Sequence, residues 1–295
     1  MSDDDEHPEE QAVKPLRFRE GDWRPSTDGA VSDDASGRVD RLRIVTWNIW
    51  FAPYEQHRRT LALLEALEQF KPNVIALQEV VPETLAVIAE SPWVRRRFEL
   101  TDATGETLSD YGVVLLSRFP ISTCALHRLP TSHGRRLLVA TLDVDGAPFS
   151  VATTHLESLE FNSARRQEQL EVTFERLRAL PEDVVLMGDM NFDDGDEEET
   201  VLDPTFEDLA KRGTQAKVRP PLTVDTYRNT MRRRLHGKSK RARYDRIFLR
   251  SPNARWKVES TILLGTAPIP AQGRLSDDEV FVSDHFGVGA TLARG

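Results

Sequence analysis

Cysteine is almost absent from this sequence: Cys124 is the only one. No disulfide can close within the chain, which points to a reducing compartment, the cytoplasm. Nor is there a run of the ~20 apolar residues that a membrane-spanning helix needs, so no membrane partner is expected. The opening residues, Met1-Ser2-Asp3-Asp4-Asp5-Glu6, carry no apolar segment and do not read as a secretory signal. One cysteine and scattered histidines make a zinc site a poor expectation.

Positive charge is in deficit overall: 39 Lys and Arg against 48 Asp and Glu give a formal net charge of −9. The deficit is not uniform. Residues 228–246 hold nine Lys/Arg and one acid, Asp245, whereas residues 193–199 read Asp-Asp-Gly-Asp-Glu-Glu-Glu. A local basic patch on an acidic protein can still steer a polyanion. The simpler reading of 228–246 is a solvated loop.

Hydrophobic residues make up 39% of the chain, enough for a sizeable core. Residues 1–40, rich in Asp, Glu, Pro, Ser and Gly, read as a disordered acidic tail. Residues 41–295 read as one domain. Leu42–Trp47 has the β-branched and aromatic content of a strand. Leu63, Leu67 and Phe70 recur at helical spacing, predicting a helix over 55–70 that Pro72 stops. A second helix is expected over 163–180. Further strands are expected at 74–77, 112–117, 137–144, 149–154, 184–187, 244–250 and 288–292. Strand pairs without an intervening helix argue for an α/β domain in which sheets pack on sheets, with helices outside.

Polar residues repeatedly close these apolar runs. Asn48 follows the first strand, Gln78-Glu79 the second, His155 a third, and Asp189 and Asn191 a fourth. Ser283-Asp284-His285 precedes the last. An acid after a strand is usually a cap or turn former. Five such points with this mix of residue types fit a site built at strand ends.

In that order, Thr46-Trp47-Asn48, Leu77-Gln78-Glu79-Val80, Thr154-His155-Leu156, Gly188-Asp189-Met190-Asn191 and Ser283-Asp284-His285 resemble the motifs of the endonuclease/exonuclease/phosphatase superfamily. The match extends from residue 42 to the C-terminus. Two more segments, Thr154–Ser158 and Tyr244-Asp245-Arg246-Ile247-Phe248, are similar to its tyrosyl-DNA phosphodiesterase 2 branch. The resemblance implies a four-layered α/β sandwich, two packed β-sheets flanked by helices, as in the deoxyribonuclease I-like fold. It also implies a monomeric phosphodiesterase dependent on Mg²⁺ or Mn²⁺.

By the same resemblance, Glu79, Asn48 and Asp284 serve the metal. Asp189 orients and deprotonates the attacking water, with Asn191 fixing its geometry. His285, held by Asp245, and His155 meet the phosphate. Ser158, Tyr227 and Arg246 contact substrate. Near Tyr227 the branch pairs an aromatic with an acid, and here the acid is missing. The expected substrate is a nucleic acid, above all a DNA 5′ end. A lipid headgroup, inositol phosphate or other small phosphodiester is the alternative, since one fold hosts several substrates. His57, His127, His133 and His236 match no motif, and Trp23, Trp93 and Trp256 read as packing residues.

Overall fold

The computed structural model describes residues 9–26, 38–212, 220–271 and 278–295. Two large β-sheets pack face to face. In spatial order the first consists of Glu10–Ala12, Ile121–Arg128, Arg136–Val144, Ala147–His155, Asp183–Asp189, Asp245–Arg250 and Glu207–Asp208. The second consists of Trp256–Leu264, Gly287–Arg294, Arg41–Asn48, Val74–Val80, Gly112–Ser117, Glu99–Leu100, Leu16–Arg19 and Asp22–Pro25. Strand alternation sends Ile44, Ala76 and Leu115 of one sheet against Leu138, Val151, Val185 and Ile247 of the other, forming the central core. Their sequence neighbours face outward. Val45, Ile75 and Leu77 meet helices Gln56–Phe70 and Pro82–Glu90 through Leu63, Leu67, Leu85 and Ile88. Ala152, Val184 and Leu186 meet helix Ser163–Arg178 through Leu170, Phe174 and Leu177. The result is the four-layered sandwich that the sequence leads one to expect. Among the described residues no helix is long and apolar enough to cross a membrane.

Two parallel pairs place the site. Arg41–Asn48 runs parallel to Val74–Val80, and Ala147–His155 runs parallel to Asp183–Asp189. Parallel neighbours end at the same edge, so Asn48 and Glu79, and likewise His155 and Asp189, come out side by side. Behind them, Gln78 bridges the sheets: its Nε2 donates to Thr46 Oγ1 (3.0 Å) and Thr153 Oγ1 (3.0 Å). Gly188 is required by close approach, because a Cβ there would lie 2.0 Å from the Thr154 carbonyl oxygen.

The acidic tail does not hold as a single disordered unit. Glu10–Ala12, Leu16–Arg19 and Asp22–Pro25 are strands on the sheet edges. Leu16, Phe18 and Trp23 anchor them; Phe18 packs edge-on to Trp23, whose Nε1 donates to the Ala89 carbonyl (3.2 Å). Three apolar residues among charges carry too little periodicity to be read as strands. Residues 1–8 and 27–37 lie outside the described residues.

Part of the acidic run 193–199 is turned inward. Asp194 pairs with Arg243 (2.5 Å), and the buried Glu198 with Arg166 (2.6 Å). Glu199 meets Lys211, whereas Asp196 and Glu197 face solvent, so the charge of the run is neutralised in part.

Candidate active site

The left-handed backbone of Glu79, φ 58°, coincides with an irregularity between Leu77 and Val80 in the pairing of the Val74–Val80 strand. A non-glycine residue in this region is uncommon and strained. The irregularity lets two consecutive side chains do different work: Gln78 bridges the sheets while Glu79 enters the cleft. Glu79 Oε2 accepts from the Phe51 backbone N–H (3.0 Å), and its Oε1 accepts from Asn48 Nδ2 (2.9 Å). Asn48 Nδ2 also donates to Asp189 Oδ2 (2.9 Å), and its Oδ1 accepts from the Trp50 N–H (3.0 Å). Asn48 therefore ties the second sheet's carboxylate to the first sheet's. Burial, and then the nearby charge of Asp284, raise the Glu79 carboxyl above its usual range, against the pull of Asn48 and Phe51.

Asp189 is buried at the end of its strand. Burial and the Asp245 charge push its carboxyl up, while His285 and the Asn48 hydrogen bond hold it down. Asn191 donates its backbone N–H to Asp189 Oδ1 (2.9 Å) and its Nδ2 to the Leu156 carbonyl (3.0 Å). The two residues do not share a face of one strand, as their i, i+2 spacing suggests. The strand stops at Asp189, and Asn191 takes a left-handed conformation, φ 53°, which asparagine tolerates.

The two histidines differ in charge. His285 Nδ1 lies 2.8 Å from Asp245 Oδ2 and 3.8 Å from Asp189 Oδ2. Burial alone would depress this imidazolium; Asp245, Asp189 and Asp284 override it and lift its pKa to about 10. His155 goes the other way. Burial, then the positive charges of Arg135 and His285, keep it neutral. Arg135 Nη1 lies 2.9 Å from His155 Nδ1, and a guanidinium can only donate, so the His155 proton sits on Nε2. That Nε2 faces Asp189 Oδ2 (3.5 Å) and Glu79 Oε1 (4.0 Å).

Arg135 is the residue that sequence reading missed. It is buried, its Nη2 donates to Ser158 Oγ (2.7 Å), and its guanidinium sits 5.4 Å from the Tyr111 ring. Its loop is latched by the fully buried Glu157, which accepts from Thr131 Oγ1 (2.7 Å), Ser132 N (3.3 Å) and His133 Nδ1. The neighbouring His133 and Arg136 gave Arg135 no distinguishing signal in Ser132-His133-Gly134-Arg135-Arg136. A cleft opens here, lined by Tyr111, His133, Arg135 and His155.

Asp284 accompanies its neighbours in a loop pinned by Ser283 Oγ to the Asn48 carbonyl (2.6 Å) and by Trp47 Nε1 to the His285 carbonyl (3.1 Å). Arg232 reaches Asp284 Oδ2 at 3.2 Å. Tyr227 is 62% exposed, with Arg233 and Arg241 over its ring at 5.4 and 5.9 Å. The buried Asp225, two residues before it, accepts from the Tyr227 N–H (3.0 Å). Asn48, Glu79, His155, Asp189, Asp245 and His285 thus converge, with Ser158 joined to them through Arg135.

Arg246 does not belong with them. It follows Asp245 on a strand, so alternation turns it to the opposite face. There it is buried, stacks 4.2 Å over Phe192, and lies 3.3 Å from both Glu199 and Asp208. Its assignment to substrate is corrected: it is a core ion-pair partner. The basic segment shrinks for a similar reason. Arg243 is buried between Asp194 and Asp208, Arg232 meets Asp284, and Arg234 pairs with Asp278 (2.7 Å).

The sequence profile of the Endonuclease/Exonuclease/phosphatase family matches residues 45–285. The chain is similar to tyrosyl-DNA phosphodiesterase 2 of Mus musculus, with 28% identity over 90% of this chain and 69% of the relative. It resembles the Danio rerio protein of that name at 28% identity, over 85% of this chain and 67% of the relative. The crystal structure of D. rerio TDP2 complexed with single strand DNA product superposes with a TM-score of 0.73 at 25% identity, covering 86% of this chain and 99% of that one. The chain belongs to the endonuclease/exonuclease/phosphatase family and is a phosphodiesterase.

Proposed function

We propose that this enzyme hydrolyses the phosphodiester joining a tyrosyl group to a DNA 5′ end, leaving a 5′-phosphate. The observation that carries the reading is the placement of two histidines at one cleft, His155 at 3.5 Å and His285 at 3.8 Å from the carboxylate of Asp189, the first held neutral and the second cationic. The names of its relatives, and the DNA product in the D. rerio neighbour, support the substrate class.

Asp189 accepts the proton of the attacking water. Its raised carboxyl makes it a stronger base than an exposed aspartate. Asn191 and Asn48 hold that carboxylate by their hydrogen bonds to its two oxygens. Water oxygen bonds to phosphorus, and the bond to the tyrosyl oxygen breaks. The phenolate, whose acid has a pKa of about 10, departs and is protonated by solvent. His285, kept charged by Asp245, donates from Nε2 to a non-bridging oxygen as negative charge builds. His155 Nε2–H is a second, neutral donor, and Ser158 and Arg135 line the far side.

The donors also fit a divalent cation. Glu79 and Asp284 are neighbouring carboxylates whose mutual repulsion and burial raise the Glu79 carboxyl, a cost that a cation beside them relieves. All-oxygen donors, Glu79, Asp284 and Asn48 Oδ1, suit Mg²⁺ or Mn²⁺. Asp189, Asp245 and His285 also come within 4.8 Å of one another. His285 Nδ1 already meets Asp245 at 2.8 Å, so that trio reads as acid–base machinery. Bound there, the metal would neutralise phosphate charge and act as a Lewis acid.

The test is direct. A 5′-phosphotyrosyl oligonucleotide should yield 5′-phosphate with Mg²⁺; EDTA should abolish turnover, and excess Mg²⁺ or Mn²⁺ should restore it. Cleavage of small aryl phosphodiesters with no cleavage of the oligonucleotide would refute the substrate, and metal-independent turnover would refute the cofactor.

The pairing of Asp245 with His285 makes a separate prediction. Residues that act as one unit lose activity non-additively. Asp245→Asn/His285→Gln should be little slower than His285→Gln alone. Multiplicative losses in steady-state kcat would dissolve the dyad.

A further inference from the structure

Immediately after Ser158 the chain does something costly. Leu159 adopts φ 74°, ψ 141°, a region that non-glycine residues avoid. It is locked there. The buried Arg166 donates from Nη1 to the Leu159 carbonyl (2.6 Å), and Asn162 Nδ2 donates to the Ser158 carbonyl (2.7 Å). Lys240 pairs with Glu160 at 2.8 Å. What this bracing achieves is the display of two apolar side chains to solvent, Leu159 at 52% and Phe161 at 81% exposure. A fold gains nothing from holding such residues out, whereas a ligand surface does.

The loop's surroundings identify the ligand. Lys240 Nζ stands 5.5 Å from the Tyr244 ring, which lies 6.4 Å from the His285 ring, so the Glu160–Lys240 pair joins the loop to the catalytic cleft. The backbone of Lys240 is in turn bonded to Thr226, next to the exposed Tyr227. Tyr227 carries Arg233 and Arg241 over its ring. Apolar faces therefore alternate with cations along one rim. That alternation matches a single nucleic-acid strand, whose bases stack on aromatic side chains while its phosphates meet cations.

We propose that the Leu159–Phe161 loop is a platform on which an unpaired base of the substrate strand stacks, Phe161 supplying the face. The inference rests on the nucleic-acid reading given above. A platform of this kind is tolerant of base identity, because every base has a π-face. It makes the enzyme favour ends with single-stranded nucleotides over flush duplex ends.

The test uses the full chain with Mg²⁺ and four kinds of substrate: a 5′-phosphotyrosyl hexanucleotide, the same hexanucleotide with peptides of two lengths on its tyrosine, the same strand with abasic sugars in place of bases, and a base-free aryl phosphodiester. The readout is kcat/KM on each strand divided by that on the aryl ester. In Phe161→Ala this ratio should fall about tenfold for the hexanucleotide, through KM, and stay put for the abasic strand, as loss of one stacked base predicts. Phe161→Trp should restore it, and Leu159→Gly should lower it. An unchanged ratio in Phe161→Ala overturns the platform while leaving the DNA-end reading intact. Failure of the unmodified protein to cleave any strand, with the aryl ester still cleaved, overturns both. A loss that follows the length of a peptide attached to the tyrosine, rather than the bases, assigns the loop to the protein side of the adduct and overturns the base platform.

Discussion

Glu79→Gln should lower kcat/KM by ~10³-fold, since a Lewis-acid metal supplies several kcal/mol of transition-state stabilisation. The substitution keeps the shape and removes the charge that attracts the cation. The fold should not suffer. Because the folded-state pKa of Glu79 is raised, its ionised form opposes folding, and that penalty grows as pH rises through the raised value. At neutral pH, without metal, the Gln variant should melt no lower than the parent. Mg²⁺ should raise the melting temperature of the parent and not of the variant. Near-parental turnover at limiting Mg²⁺ would remove Glu79 from the metal site.

Asp189→Asn should cost ~10²–10⁴-fold in kcat, the usual effect of removing a general base. The amide can keep one acceptor oxygen, so the Asn191 N–H stays partnered and DNA binding survives. Asn48 Nδ2 would then face the new amide nitrogen and lose its acceptor. Removing a buried carboxylate whose ionised form opposes folding offsets that loss, so circular dichroism and melting should stay nearly unchanged while the rate collapses. A change confined to KM would make Asp189 a binding residue.

Much of this was legible in the sequence because strands buried on both faces read as apolar runs. Gly112–Ser117 and Val74–Val80 are such strands. The elements that escaped lack that signature. Trp256–Leu264 is an edge strand whose polar residues face water, and its pairing shifts register between Val258 and Ser260. Ile121–Arg128 likewise shifts register, between Ile121 and Thr123. A broken period of two hides a strand. In the site, residues standing at strand ends were readable because position and chemistry coincide there. Arg135 was not, because its role comes from a loop folded back onto His155 through contacts 20 residues apart. Arg246 misled for the opposite reason: it sits inside a motif, yet one step along a strand is a half-turn away from the cleft.

The bridge made by Gln78 has a consequence for how this enzyme ages and fails. Its amide spans the two sheets directly behind a cleft whose halves belong to different sheets: Asn48 and Glu79 on one side, His155, Asp189 and Asp245 on the other. The bonds Asn48–Asp189 and His285–Asp245 are fastened across that seam. Neither half holds a working set alone, so a slip of one sheet past the other by a single residue would disarm the enzyme before it unfolded. Catalytic rate is thus a gauge of inter-sheet alignment. Under mild heat or denaturant, inactivation should come with or ahead of the loss of tryptophan burial and never behind it.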